Sequence, residues 1–312
     1  MNAVPQADAR LGVGDRPGLL GVLMLSPALL YIVLLVAVPF FIAIALSMAS
    51  ATVGAPGVHG FVGFQNYVAA VHEPEFLMGL RNSVIVTVAT VVLILIFATI
   101  ESELLARDFR GKWLFQILII LPWAMPVSLA AVNWLWLLDS QFSPIDWLFR
   151  HLGLLGPGTI WGPQMHLYYY GQEWLGLASI TLINVWRILP LATVIVLAGR
   201  VSIPADILEQ AQVDGAGIFR TLFQISIPAM FPILVVATMF AALLVFGDMA
   251  IVAITTRGGP GYATQLLPFW AYEKGIEGGA LSQGAAIALF MFPVLLAGAI
   301  WALRAAYRSQ TR

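Results

Sequence analysis

The stretch "EQAQVDGAGIFRTLFQISIPAMFP", residues 209–232, is polar, broken by Gly215 and Gly217, and set between two long apolar runs. The run before it, near Trp174 to Gly199, and the run after it, near Met230 to Thr255, are each long enough for the roughly 20 residues that cross a bilayer as helix. That arrangement makes them consecutive spans of an integral membrane protein. Outward from this pair, four more runs qualify: Leu19 to Met48, Ser83 to Ala106, Trp113 to Leu138 and Gly284 to Ala306. The runs are continuous and do not alternate over about ten residues as barrel strands do. The expected fold is therefore an all-α integral membrane protein with six transmembrane helices. Of 312 residues, 60% are hydrophobic and only 10% charged, against roughly 25% charged in soluble domains.

The basic residues give the orientation. With six spans, one set of connecting segments holds Arg10, Arg16, Arg107, Arg110, Lys112, Arg200, Arg220, Arg304, Arg308 and Arg312. The other set holds only Arg81, Arg150, Arg257 and Lys274. The positive-inside rule places both termini, and with them residues 209–232, in the cytoplasm. Residues 1–18 read as a cytoplasmic tail, 19–306 as one six-helix transmembrane domain, and 307–312 as a second tail. Arg10 and Arg16 precede an apolar run near 30 residues long, beyond the 7 to 15 of a secretory signal, so it is expected to stay as the first span.

The polar connector, about 200–229, is longer than packing requires, since paired helices usually join through two to eight residues. Pro204 and Asp206 suit a helix start, and Gly215 to Gly217 suit its end. The spacing predicts a helix of about three turns with Ile207, Leu208 and Ala211 on one face, too short to be stable alone in water. A second helix is expected near Ile218, with Pro228 and Pro232 leading into the fifth span. The connector is either a plain link lying on the membrane surface or a docking element for a partner.

Elsewhere, Phe64, Tyr67, Val68 and Val71 recur at helical spacing in the first outer loop and predict a short surface helix. Pro27, Pro39, Pro122, Pro126, Pro190 and Pro293 lie in spans, where each removes a backbone donor and favours a kink. Arg187 and Asp248 fall within spans, where a charge costs at least about 2.5 kcal/mol unless solvated or paired. Arg187 is either a buried brace or a contact lining a pathway. Asp248 either holds the loop that follows it or touches solute. Trp134, Trp136, Trp270, Tyr262 and Tyr272 sit near the outer ends of spans and read either as interfacial anchors or as faces on which a sugar could stack.

Several chemistries are absent from the sequence. There is no cysteine, which excludes disulfides and thiolate sites. "RGKW" at residues 110–113 lacks the upstream glycine and the Ser or Thr of a phosphate-binding loop. His59, His72, His151 and His166 never take a metal-ligand spacing, and no GxSxG elbow is present. A catalytic role is not expected of the chain, nor is a metal site.

"EQAQVDGA", with Phe223, Ile225 and "IPAMFP", closely resembles the cytoplasmic signature of permease subunits in binding-protein-dependent ABC importers. Glu209, Ala211, Asp214, Gly215, Ala216 and Pro228 match that pattern, while Gln210 stands for an alanine and Ile227 for a leucine. The resemblance extends to Gly63, Asn66, Tyr67, Phe76 and Asn82 in the first outer loop, to "ILPWAMP" in the third span, and to Trp186 with Pro190 in the fourth. It continues through Asp248, Gly258, Gly259, Pro260 and Thr264 in "FGDMAIVAITTRGGPGYAT". These patterns are similar to the carbohydrate-uptake branch, and the proline pair of the first span to the first permease of maltose and glycerol-phosphate type systems. At "SPID", residues 143–146, relatives often carry Gly and Asn instead.

The resemblance implies a coupling helix, with Glu209, Ala211, Asp214, Gly215 and Ala216 at a contact to a cytoplasmic ATPase. It implies two ABC ATPase subunits carrying ATP and Mg, a second homologous permease subunit, and an extracytoplasmic solute-binding protein. No cofactor is expected on this chain and no nucleic-acid partner; membrane lipid surrounds it in the cell membrane. Candidate pathway residues are Trp134, Arg187, Asp248, Tyr262 and Trp270, for a sugar or related polyol. The other readings are a secondary transporter or channel, for which acidic or histidine relays in the spans would be expected, and an ABC permease for a non-sugar solute.

Overall fold

The computed structural model describes residues 17–54 and 60–310. Most of the expected first tail, with Arg10 and Arg16, lies outside those residues, as do His59 and Arg312. Among the described residues the chain is helical, with an isolated bridge between Ala49 and Phe61. Five helices are long and apolar enough to cross a membrane, or six when a bent pair is taken as one span.

The first span is α1 (Pro17–Ile32) and α2 (Val38–Ser47), joined by a π-helical turn at Val33–Ala37. A second π-helical turn, Leu222–Ser226, lies between α10 (Ile218–Thr221) and α11 (Ile227–Phe246). Both turns end two residues before a proline, Pro39 and Pro228. A proline ring clashes with the carbonyl four residues back, and widening the preceding turn relieves that contact without ending the helix. The fifth span and the expected second cytoplasmic helix are thereby one continuous rod.

The segment after the first span folds as α3 (Gln65–His72), at the predicted place. α4 (Pro74–Leu105) begins earlier than the expected second span, because Pro74 stands at its first turn with Glu75 beside it, both favourable at a helix start. The third span departs from expectation. It is not one helix but two, α5 (Lys112–Ala124) and α6 (Val127–Leu137), bent by 104°. Met125, which precedes Pro126, is extended with ψ of 131°, the conformation a following proline imposes. Pro122 and Pro190 sit inside helices that continue past them.

After α6 comes α7 (Pro144–His151), a helix the sequence reading did not foresee. The Ser143 hydroxyl accepts from the Asp146 backbone amide and caps it, so "SPID" starts a helix here. α8 (Glu173–Val201) is the fourth span and α9 (Ala205–Val213) the connector helix. α11 ends before Gly247, and short helices α12 (Ala250–Ile254) and α13 (Leu267–Tyr272) follow. α14 (Leu281–Gln310) is the last span and runs beyond Ala306, so residues 307–310 of the expected tail are helical.

The core lies where α4 and α8 pack along each other and α11 closes over both. Val86, Ile94, Ala98, Ile180, Ile183, Ala192, Val196, Ala237 and Ala241 are buried there. Alanines at this contact let helix backbones approach, which is how helices associate in lipid, where burying apolar surface gains little. α14 packs on α11, α2 and α13. α1 instead exposes Val22, Leu23, Met24, Leu25, Leu29 and Leu30, a surface suited to lipid.

Candidate functional site

Two regions carry polar groups into this apolar frame. The first is the connector. Pro204 precedes α9 and Asp206 lies in its first turn. The helix ends in a Schellman arrangement: the Ala216 amide donates to the Ala211 carbonyl at 2.9 Å and the Gly215 amide to the Gln212 carbonyl at 3.0 Å. Gly215 adopts φ of +75° to close it, a left-handed conformation glycine reaches without steric cost. Ala211 is buried and Leu208 packs on the α4–α8–α11 core, so the helix is anchored on one face. Its other face is open. Asp206, Glu209, Gln210, Val213 and Asp214 line a shallow groove there, where Val213 is 87% exposed, and beyond it Phe219 is 77% exposed. Ile207, expected on the anchored face, is exposed instead, because its position on the turn points past the core.

The second region surrounds the breaks in the third and fifth spans. Asp248 lies in the break between α11 and α12 and forms an ion pair with Arg187 of α8, their side chains only 10% and 14% exposed. The same Asp248 accepts from the Ala250 amide at 2.7 Å and caps α12. Asn184 stands 3.4 Å from the guanidinium. The two charges thus face each other and pin the break to α8.

Trp134 packs edge-on against Trp186, their ring centroids 5.7 Å apart. Both line a wide groove of about 700 Å³ at the bend of the third span, with Met125, Asn133, Trp136, Leu137, Phe142 and Pro144. Trp186 also lines a narrower groove of about 220 Å³ on the side of the 106–111 loop, with Glu101, Phe115, Leu118, Ile119, Pro122, Leu189 and Pro190. Glu101 accepts a hydrogen bond from Thr193 at 2.6 Å. Close by, Glu103 pairs with Arg200 at 2.6 Å. The sequence reading overlooked both carboxylates; their placement in the last turns of a span was the available signal.

Tyr262 and Trp270 form a separate pair, centroids 5.8 Å apart. Trp270 is buried, with the Lys274 ammonium 5.4 Å from its ring centroid, and so stands inside the protein and not as an anchor at its rim. The segment between α12 and α13 is held to α4: Asn82 donates to the carbonyls of Ala263 and Gln265 at 2.8 and 3.1 Å, and Ser83 accepts from the Leu267 amide at 2.8 Å. In the segment between α6 and α8, Asp146 is buried and accepts from the Tyr169 hydroxyl at 2.6 Å and the Leu167 amide at 3.0 Å. Burial, with the hydrogen bond and charge of Asp146, pushes the Tyr169 phenol well above its ordinary range. Of the residues named from sequence, then, Arg187 and Asp248 meet, Tyr262 and Trp270 meet, and Trp134 joins Trp186, which precedes Arg187 in the chain.

Comparison with known proteins completes the description. Residues 91–306 match the family described as "Binding-protein-dependent transport system inner membrane component". The sulfoquinovosyl glycerol transport system permease protein SmoG of Agrobacterium fabrum is 30% identical over 290 residues, covering 93% of this chain and 90% of that protein. The trehalose/maltose transport system permease protein MalF of Thermococcus litoralis is 27% identical, over 90% of this chain and 91% of its own. Among solved structures, a bacterial alginate ABC transporter in complex with an alginate pentasaccharide-bound periplasmic protein contains a chain that superposes with a TM-score of 0.74 at 18% identity. The match covers 96% of this chain and 98% of that one.

Proposed function

The chain belongs to the family of binding-protein-dependent transport system inner membrane components, and on that premise we propose that it forms half of the solute pathway of an ATP-driven importer for a sugar or related polyol. It is a multi-pass inner-membrane transport subunit, and transport, not bond-making on solute, is its task. The permeases SmoG and MalF serve systems named for a glycosyl glycerol and for disaccharides, which supports a carbohydrate here. On this reading both termini and α9 lie in the cytoplasm. A second permease subunit completes the passage, two ATPase subunits carry ATP and Mg, and a solute-binding protein delivers cargo from outside.

The observation that carries the reading is the build of α9. A helix this short is not stable alone. It is fixed to the span bundle through Leu208 and Ala211, stopped at Gly215, and left with an open face of Asp206, Glu209, Val213 and Asp214. Force applied to that face passes to the core of α4, α8 and α11. ATPase closure could therefore move the spans and change which side the grooves face. A partner drives such a change only in so far as it binds one state better than the other.

The absence of cysteine makes the test direct. Ala211 is buried, so the cross-linking position is Val213. Val213→Cys in native membranes, treated with a short thiol cross-linker, is expected to capture an ATPase subunit, while Gln141→Cys in the 139–143 loop is not. Intact solute uptake with no ATPase captured from Val213→Cys, Ile207→Cys or Ile218→Cys would sink the reading.

A further inference from the structure

We infer that Glu101 and Trp186 form a second polar station on the pathway and restrict the solute to uncharged polyhydroxyl compounds; the inference rests on the importer reading above. Trp186 borders both grooves, so a solute leaving the wide groove meets the indole first and the Glu101 carboxylate next. Between them these residues supply what a polyol requires: an aromatic face for its C–H surface and an acceptor for its hydroxyls. Thr193 holds one carboxylate oxygen at 2.6 Å. The other has no protein partner among the described residues and is left for a ligand or water.

The charge balance decides the class. Arg187 is the cation nearest the wide groove in sequence, beside Trp186, and it is already bound to Asp248. Arg200 is bound to Glu103. Glu101 has no ion partner among the described residues, so the grooves offer an unpaired carboxylate and no free cation. An anionic solute would meet like charge with nothing in this chain's grooves to offset it. A cationic solute would meet a carboxylate at contact in a medium of reduced dielectric, worth on the order of a thousandfold in affinity. Such a grip opposes release, and passage requires binding weak enough to leave. A neutral polyol escapes both penalties.

The test uses the complex as isolated from native membranes, with its own binding protein, in lipid nanodiscs. Maltose, trehalose and glycerol serve as neutral probes, glucuronate and glycerol 3-phosphate as anionic ones, and glucosamine as cationic. Stimulation of ATP hydrolysis is expected from at least one neutral probe and from none of the charged ones. Glu101→Gln keeps a hydroxyl partner and is expected to retain stimulation, whereas Glu101→Ala lowers it about tenfold. In a second arm, Glu101→Cys is expected to react with water-soluble methanethiosulfonates. Stimulation by a charged probe, an unaltered response in Glu101→Ala, no response to any neutral probe, or an unreactive cysteine at 101 each overturns the inference while leaving the importer reading intact. A complex that contains no ATPase overturns that reading as well.

Discussion

Two polar, glycine-rich segments flank the fifth span. Residues 247–267, beyond the end of α11, are largely tied down inside the chain: Asp248 is paired with Arg187, and Asn82 and Ser83 of α4 satisfy the carbonyls of Ala263 and Gln265 and the amide of Leu267. Gly258 there leaves so little room that an added Cβ would lie 1.7 Å from the Gln265 side-chain oxygen. Residues 202–221, at the other end, show the opposite economy. Gly215 and Gly217 have open space around them, and Val213, Ile218 and Phe219 face outward. Glycine and polar content alone do not tell the two apart; the supply of internal partners does. A segment whose polar groups are mostly answered from within, here all but the Gln265 side-chain oxygen among the buried ones, is a scaffold. One that leaves apolar side chains outward is built for an external surface.

This contrast breaks most sharply at Arg187. Arg187→Ala leaves Asp248 buried and unpaired, which costs about 3–5 kcal/mol. The melting temperature in detergent should fall accordingly, and Arg187→Ala with Asp248→Ala should recover much of the loss. A double variant no better than the sum of the singles would show that the pair does not hold the break. Asn82→Ala is next: it strands two backbone carbonyls inside the protein, at about 1–3 kcal/mol each when buried groups lose their partner. Asn82→Asp, which loses the donor but keeps the shape, should behave alike, and equal melting of Asn82→Ala and wild type would remove the scaffold argument for this loop.

The sequence made most of this frame legible, because a bilayer demands runs of about 20 apolar residues and those runs are unmistakable. The connector was readable for the same kind of reason: Pro204, Asp206 and Gly215 mark helix ends by local chemistry, independent of what packs nearby. Other features were not local. Pro126 ends a helix where Pro190 does not, and nothing within either heptad says so; the surrounding helices decide which proline is tolerated. Trp270 looked like a rim residue because it follows a span, yet the chain folds back as α13 and buries it. Glu101 was passed over because near a span end it resembles any interfacial charge. Its significance rests on Thr193 and Trp186, some 90 residues away in the chain.

A smaller effect sharpens the other half of the comparison. Gly215→Ala meets no neighbour within 4 Å, so its cost is the left-handed backbone alone, about 1–2 kcal/mol. Melting should shift by only a few degrees. ATP-driven uptake should fall by more than that shift explains, since relaxing the backbone would dissolve the Schellman closure that sets the direction of the chain after α9. Uptake that declines only in step with the amount of folded protein would mean that the turn serves stability and nothing else.

Val213→Asp is the least destabilising change and the most informative. Val213 is 87% exposed, and a surface substitution free of packing usually stays within about 0.5 kcal/mol. The isolated permease should therefore melt as wild type does. If α9 docks in a cleft of a partner, however, Val213 is an apolar anchor surrounded by Asp206, Glu209 and Asp214, and an added carboxylate must be desolvated among like charges on docking. Loss of such an anchor costs about 2 kcal/mol or more in binding, roughly thirtyfold or more, so the ATPase should dissociate during purification and uptake should stop. A plain surface loop would yield neither result: stability, retention of the ATPase and uptake would all be unchanged. Stability and function separate at Val213 only if the open face of α9 has an external partner, whereas at Arg187 they must fall together.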